Sequence, residues 1–86
     1  MKRFWMNFSA TNKELLPVIS LGCGVTARNK EEALAIVQEK IFNGKKMPTP
    51  SEVIENIDIS SLDEKHIRPN MGSIFLPGIW FPLGFN

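Results

Sequence analysis

The chain has a single cysteine, a single histidine and no long uninterrupted apolar run. Cys23 alone cannot close an internal disulfide, and without three further ligands it cannot build a structural zinc site. A reducing cytoplasm is the compartment that such cysteine usage leads one to expect. A membrane-spanning helix needs about 20 consecutive apolar residues. The most apolar stretch, SIFLPGIWFPLGF, is shorter and is broken by Pro77, Gly78 and Pro82. The opening MKRFWMNFSATNKE has no apolar run of the kind a signal peptide carries. No membrane association is therefore expected. Charge of one sign is also lacking: ten basic against nine acidic residues give a net charge of +1. Such a balance argues against a broad phosphate-binding footprint, and so against nucleic acid as a partner. Internal repeats and low-complexity segments are absent, and 86 residues make one domain spanning 1–86.

What is present is unevenly placed. Residues 1–50 hold eight basic and four acidic groups, whereas residues 51–86 hold two basic and five acidic. The five acids, Glu52, Glu55, Asp58, Asp63 and Glu64, fall in a stretch with no lysine or arginine. Such a run is either a solvated face or an acidic patch that meets a basic partner. Beyond it, the seventeen residues from Asn70 to Asn86 carry no charge at all.

Periodicity supplies the elements. RFWMNFSA alternates, with Phe4, Met6 and Phe8 on one side and Trp5 and Asn7 on the other, which predicts a strand near Arg3–Ser9. TNKE reads as a turn, and LLPVISLGCGVTA as a second extended segment bent or bulged at its glycine pair. In NKEEALAIVQEKIFNG, Asn29 is placed to cap a helix and Glu32 sits at capping-box spacing. Ala33, Leu34, Val37 and Ile41 share one face, Ile36 widens it, and Asn43-Gly44 supplies the stop. SEVIENIDIS predicts a third strand with Val53, Ile57 and Ile59 inward. SSLDEKH predicts one helical turn begun by Ser61, and IFLPGIWFPLGF a final strand pair or bent strand. In GIWFPLG, alternation sets Ile79 and Phe81 against Trp80. The fold class expected is α+β: a single small sheet of three to five strands with one amphipathic helix on one face. If the strands flanking the helix are parallel neighbours, a right-handed crossover joins them. The opposite face needs a cover or a partner, and Trp5, Ile54 and Trp80 are its candidates.

Catalytic and cofactor chemistry finds little footing. Gly22, Gly24 and Ala27 match G-x-G-x-x-A, but the helix starts about three residues too late for a phosphate cradle. The chain is also too short for a dinucleotide fold, so strand irregularity explains the glycines better. No cofactor is expected. His66, flanked by Asp63, Glu64 and Arg68, is the one residue around which a small enzyme could be centred, with Ser60 and Ser61 nearby. It lacks the paired histidines of a metal motif, and no metal site is expected. Cys23 in its apolar setting reads as an inert buried thiol. Lys2, Arg3, Arg28, Lys45 and Lys46 could form a small basic face, which keeps a nucleic-acid-binding or regulatory module as an alternative.

The runs LGCGVTARNKEEALAIVQEKIF, VIENIDISSLDEKHIRPNMG and GIWFPLGF resemble a family of small bacterial immunity-type proteins, the cognate inhibitors of contact-dependent and polymorphic toxins. The most specific part is DISSLDEKHIRPNMG followed by GIWFPLG. The resemblance implies a cytoplasmic, non-enzymatic protein that binds one toxin domain and occludes its active site. It carries over no catalytic residue. A nuclease toxin would present a basic cleft, for which the run Glu52–Glu64 is the matching feature. Glu55, Asp58, Asp63 and Glu64 are then the expected partner-binding acids, with Trp80 as the aromatic anchor.

Overall fold

The structure, a computed structural model, describes residues 1–8 and 21–85. It contains strands β1 (Lys2–Asn7), β2 (Cys23–Ala27), β3 (Glu52–Glu55) and β4 (Gly78–Phe81), and one helix, α1 (Lys30–Lys40). The strands form one antiparallel sheet in the order β3-β1-β2-β4, and α1 packs on one face. The α+β class expected from the sequence is the one observed. The turn at TNKE and the Leu15–Ser20 part of the second extended segment lie outside the described residues.

The helix forms where its caps and apolar spacing require. Asn29 Oδ1 accepts from the Glu32 N–H at 2.8 Å. Glu32 does not return this bond to Asn29. Its carboxylate instead accepts from the Arg28 N–H at 3.1 Å and from the Arg28 side chain at 2.8 Å, one residue further out than a capping box reaches. At the other end Asn43 and Gly44 take positive φ (54° and 76°), and the Gly44 N–H closes on the Gln38 carbonyl at 3.0 Å. Ala33 and Val37, with Ile41 and Phe42 just beyond the last turn, are buried against Phe4, Met6, Phe8, Cys23, Val25, Ala27 and Ile79. Alternation along β1 and β2 delivers those residues to the helix side.

Strands β2 and β3, which flank the helix in sequence, run in the same direction but are not neighbours, because β1 lies between them. The expected crossover therefore spans a central strand instead of joining adjacent ones. The third strand is also shorter than its apolar pattern predicts. Asn56 adopts φ 55°, which ends β3 after Glu55. Val53 thus packs on the helix side, while Ile57 and Ile59 join the opposite face.

That opposite face is covered by the chain itself. Residues 56–77 cross it as a strap with only two short 3-10 turns, Ile59–Ser61 and Arg68–Asn70. Beneath the strap lies a second core of Trp5, Ile57, Leu62, Ile67, Trp80 and Phe81, with Ile54, Ile59, Met71 and Ile74 packed at its border. Trp5, Ile54 and Trp80 lie on this face, as the alternation implied. Among the described residues three hydrogen bonds tie the strap down: Ile57 N–H to the Arg3 carbonyl (3.2 Å), Gly72 N–H to the Trp80 carbonyl (2.7 Å), and Thr26 Oγ1 to the Ile74 carbonyl (2.7 Å).

A bulge accounts for the one failure of alternation in β4. Val25 pairs with Ile79 and Gly24 with Phe81, so Trp80 is the extra residue opposite that step. Ile79 faces the helix, and both Trp80 and Phe81 face the strap, where alternation alone would have separated them. The two indoles rest on Gly24 of β2 and on Gly22, which just precedes it. A Cβ on Gly24 would lie 2.5 Å from Trp80 Cζ2, and one on Gly22 would lie 2.8 Å from Trp5 Cε2. The ring centroids of Trp5 and Trp80 are 5.9 Å apart, and those of Trp5 and Phe81 are 5.6 Å apart. The G-x-G spacing is thus a seat for two tryptophans.

Candidate interaction surface

The strap sorts its residues by a spacing of five. Ile57, Leu62 and Ile67 are buried in the second core, while Glu52, Glu55, Asp58, Asp63 and Glu64 all stand exposed. Burial of the three apolar side chains holds the segment on the sheet and so fixes where its carboxylates emerge.

Each acid has a local partner. Asp58 caps the first 3-10 turn: its Oδ1 accepts from the Ser60 N–H (3.0 Å) and Ser60 Oγ (2.7 Å). The Ser60 hydroxyl is the main reason the Asp58 carboxyl titrates below its ordinary range, with the Arg3 charge a smaller contributor. Asp63 Oδ1 accepts from the N–H groups of Lys65 (2.7 Å) and His66 (3.0 Å), while Oδ2 lies 3.2 Å from His66 Nδ1. These contacts, led by the Lys65 N–H, hold the Asp63 carboxyl low as well. The expected helical turn is therefore begun by Asp63 and not by Ser61, whose hydroxyl bonds to the Asp58 carbonyl at 2.6 Å. Glu64 pairs with Arg68 at 3.0 Å, Glu55 pairs with Lys2, and Glu52 accepts from Asn7 Nδ2 at 2.9 Å. Asn7 Oδ1 in turn accepts from Trp5 Nε1 at 2.9 Å, so this edge of the acidic run is linked to the core beneath. Exposed pairs of this kind stabilise little and leave the carboxylates open to solvent.

Trp80 is not part of this surface. It is 1 % exposed at the centre of the second core, where it cannot serve as an anchor for a partner. What the alternation could not show is the strap that covers this face of the sheet and buries the indole. Its Nε1 is buried and has no hydrogen-bond partner among the described residues.

The other sequence candidates take structural roles. His66 is exposed and bonds to Asp63, while the hydroxyls of Ser60 and Ser61 are both directed at Asp58. His66 thus stands in no described hydrogen bond with a serine nucleophile. Cys23 is fully buried in the helix-side core, and burial pushes its thiol up to about 12. Two members of the suggested basic face are paired, Lys2 with Glu55 and Arg28 with Glu32. Among the described residues no group of three His, Cys, Asp or Glu side chains is placed to hold a metal ion, and no pocket opens. Among the described residues no helix is long and apolar enough to cross a membrane.

The structure adds residues that periodicity did not single out. Phe75, Leu76 and Leu83 are 83 %, 59 % and 54 % exposed. Reading IFLPGIWFPLGF as strand hid them, although Pro77-Gly78 marks the point where loop gives way to β4. Comparisons with protein-family models, with curated proteins and with solved structures give no match to this chain.

Proposed function

We propose that the chain is a protein-binding domain of the immunity type, which neutralises a bacterial toxin domain by covering a basic active-site cleft. The observation that carries this reading is the strap. Asp58, Asp63 and Glu64 emerge from a segment pinned by Ile57, Leu62 and Ile67, Glu52 and Glu55 stand exposed on the strand that leads into it, and the hydrogen bonds of Asp58 and Asp63 fix the local geometry of those two carboxylates. Carboxylates pre-set in this way steer a basic partner and set its orientation. Glu55, Asp58, Asp63 and Glu64 are the residues assigned to contact.

The test uses variants that remove charge and keep the caps. Asparagine caps a turn as well as aspartate does, so Asp58→Asn with Asp63→Asn removes two charges with the fold retained. Any toxin domain found to be encoded beside this gene is purified and its association rate with each form is measured. The double variant is expected to slow association by about tenfold and to flatten its salt dependence. Unchanged association at low salt would remove the acidic strap from the interface. Failure of the chain to protect cells that express that domain would overturn the immunity reading itself.

A further inference from the structure

The peptide bond between Phe75 and Leu76 lies in residues 71–77, which belong to no helix or strand. Of the six phenylalanines and two tryptophans, Phe75 alone stands exposed, at 83 %; Phe85 is half-buried and the rest are buried. Leu76 beside it is 59 % exposed. Among the described residues neither the Phe75 carbonyl nor the Leu76 N–H enters a hydrogen bond. The nearest ties, Thr26 Oγ1 to the Ile74 carbonyl and the Phe75 N–H to Ser73 Oγ (3.2 Å), leave that peptide group out. The next bond, Leu76–Pro77, leads into a proline, whose nitrogen carries a ring and no hydrogen.

We propose that Phe75–Leu76 is a processing site, cut in the folded protein by an endoprotease whose recognition pocket takes an aromatic side chain. Such an enzyme needs an aromatic group within reach, a neighbouring carbonyl to draw into its oxyanion hole, and chain not committed to a helix or sheet. Those three conditions coincide at one bond. Phe4, Phe8 and Phe42 are withdrawn into the helix-side core, and Trp5, Trp80 and Phe81 into the second core. A cut after Phe85 would remove Asn86 alone. Hydrolysis consumes one water. Its oxygen bonds to the Phe75 carbonyl carbon, and the C–N bond breaks with its electron pair going to nitrogen. Both water protons end on the new Leu76 amine, which becomes an ammonium, and Phe75 becomes a carboxylate.

The cut parts the strap from β4. Residues 1–75 keep the helix and the acids, while residues 76–86 carry β4, held by its pairing with β2 and by burial of Ile79, Trp80 and Phe81. The bond from the Gly72 N–H to the Trp80 carbonyl bridges the break. The pieces therefore stay together, but their association is now bimolecular, so stability comes to depend on concentration. One cut turns a self-contained fold into one that loses a strand on dilution.

The site lies outside the acids assigned above to a toxin, and its test needs no toxin. The full chain is treated with chymotrypsin in buffer and in urea below the unfolding midpoint, with products followed by mass spectrometry and each rate scaled to that of a short peptide substrate. Fragments 1–75 and 76–86 are expected first, at a rate that urea leaves nearly unchanged, because the cut requires no global unfolding. Phe75→Ser, at an exposed position, is expected to slow this cut about a hundredfold with the circular dichroism spectrum unchanged, whereas Phe75→Tyr keeps it. The urea midpoint of the nicked protein is expected to fall on dilution, and that of the uncut chain to stay fixed. A chain that resists chymotrypsin would overturn the site. So would first cuts at a buried aromatic residue, a rate that climbs with urea as steeply as global unfolding does, or a serine variant cut as fast as the parent. A nicked midpoint that ignores concentration would overturn the two-piece state.

Discussion

Gly24→Ala should be among the most damaging single-methyl additions to this protein. The position is within β2, and its φ is one that any residue adopts, so no backbone strain arises. Alanine would ordinarily gain about 0.5–1 kcal/mol over glycine in a strand. Here the added carbon would sit 2.5 Å from Trp80 Cζ2 and no further from Cη2 and Cζ3, where van der Waals contact begins near 3.5 Å. The indole has little room to retreat, being 1 % exposed with the tilted ring of Trp5 beside it. Overpacking of this kind costs about 1–3 kcal/mol, and an immobile ring places the loss toward the upper end. The net effect expected is a destabilisation of about 2 kcal/mol. With a urea m-value of about 1 kcal/mol/M for a domain this small, the unfolding midpoint should fall by about 2 M. Gly44→Ala is the contrasting case: nothing lies within 4 Å of the new carbon, and only its φ of 76° resists the side chain. That left-handed strain costs about 1 kcal/mol. A double-mutant cycle then isolates the contact. Trp80→Leu should itself destabilise, but adding Gly24→Ala to it should cost much less than Gly24→Ala costs alone. If Gly24→Ala proves as stable as the parent, or if the two changes are additive, the glycine is not there to seat the tryptophan.

Two further outcomes follow from the buried thiol and the capping acids. Cys23 should resist a disulfide reagent such as DTNB at pH 8 in the folded protein and react fully in urea, since burial lifts its thiol to about 12; rapid labelling of the native chain would contradict its placement. Asp58 and Asp63 titrate low because their charged forms accept hydrogen bonds, so both contribute stability above the ordinary aspartate value of 3.8 and lose it as pH falls through their lower folded values. The urea midpoint should therefore drop on acidification below that value, and Asp63→Ala should make the drop shallower; an unchanged acid limb in that variant would count against the cap.

What the sequence discloses is whatever depends on neighbours a few residues apart. Asn29, the Ala33–Val37–Ile41 spacing and Asn43-Gly44 mark the helix because caps, amphipathic faces and stops are local. The alternation of Phe4, Met6 and Phe8 against Trp5 likewise separates the two faces of β1. Cys23 is buried as its apolar flanks imply. The misplacements arise where one backbone angle or one distant contact decides. Asn56 with φ 55° cuts β3 short and sends Ile57 to the other face, and asparagine is not an obligate marker of that conformation. The bulge at Trp80 arises because Gly24 pairs with Phe81 and Val25 with Ile79, partners more than fifty residues away in the chain. Of the surface residues, the four acids could be read as exposed because they are charged. Whether Trp80 was anchor or core could not be read, because a tryptophan suits both.

The placement of both tryptophans on one side of the sheet gives each face its own optical signature. Every tryptophan of the chain lies under the strap, while the only α-helix of the described residues lies on the opposite face. Indole emission is thus a one-sided signal, blind to the helix layer, and helical ellipticity near 222 nm is blind to the strap. Recorded together during one titration, they compare the melting of two half-molecules joined by four strands, with no label attached. Coincident curves would mean that the sheet transmits the loss of one layer to the other. An early change in emission would identify the strap as the part that lets go first.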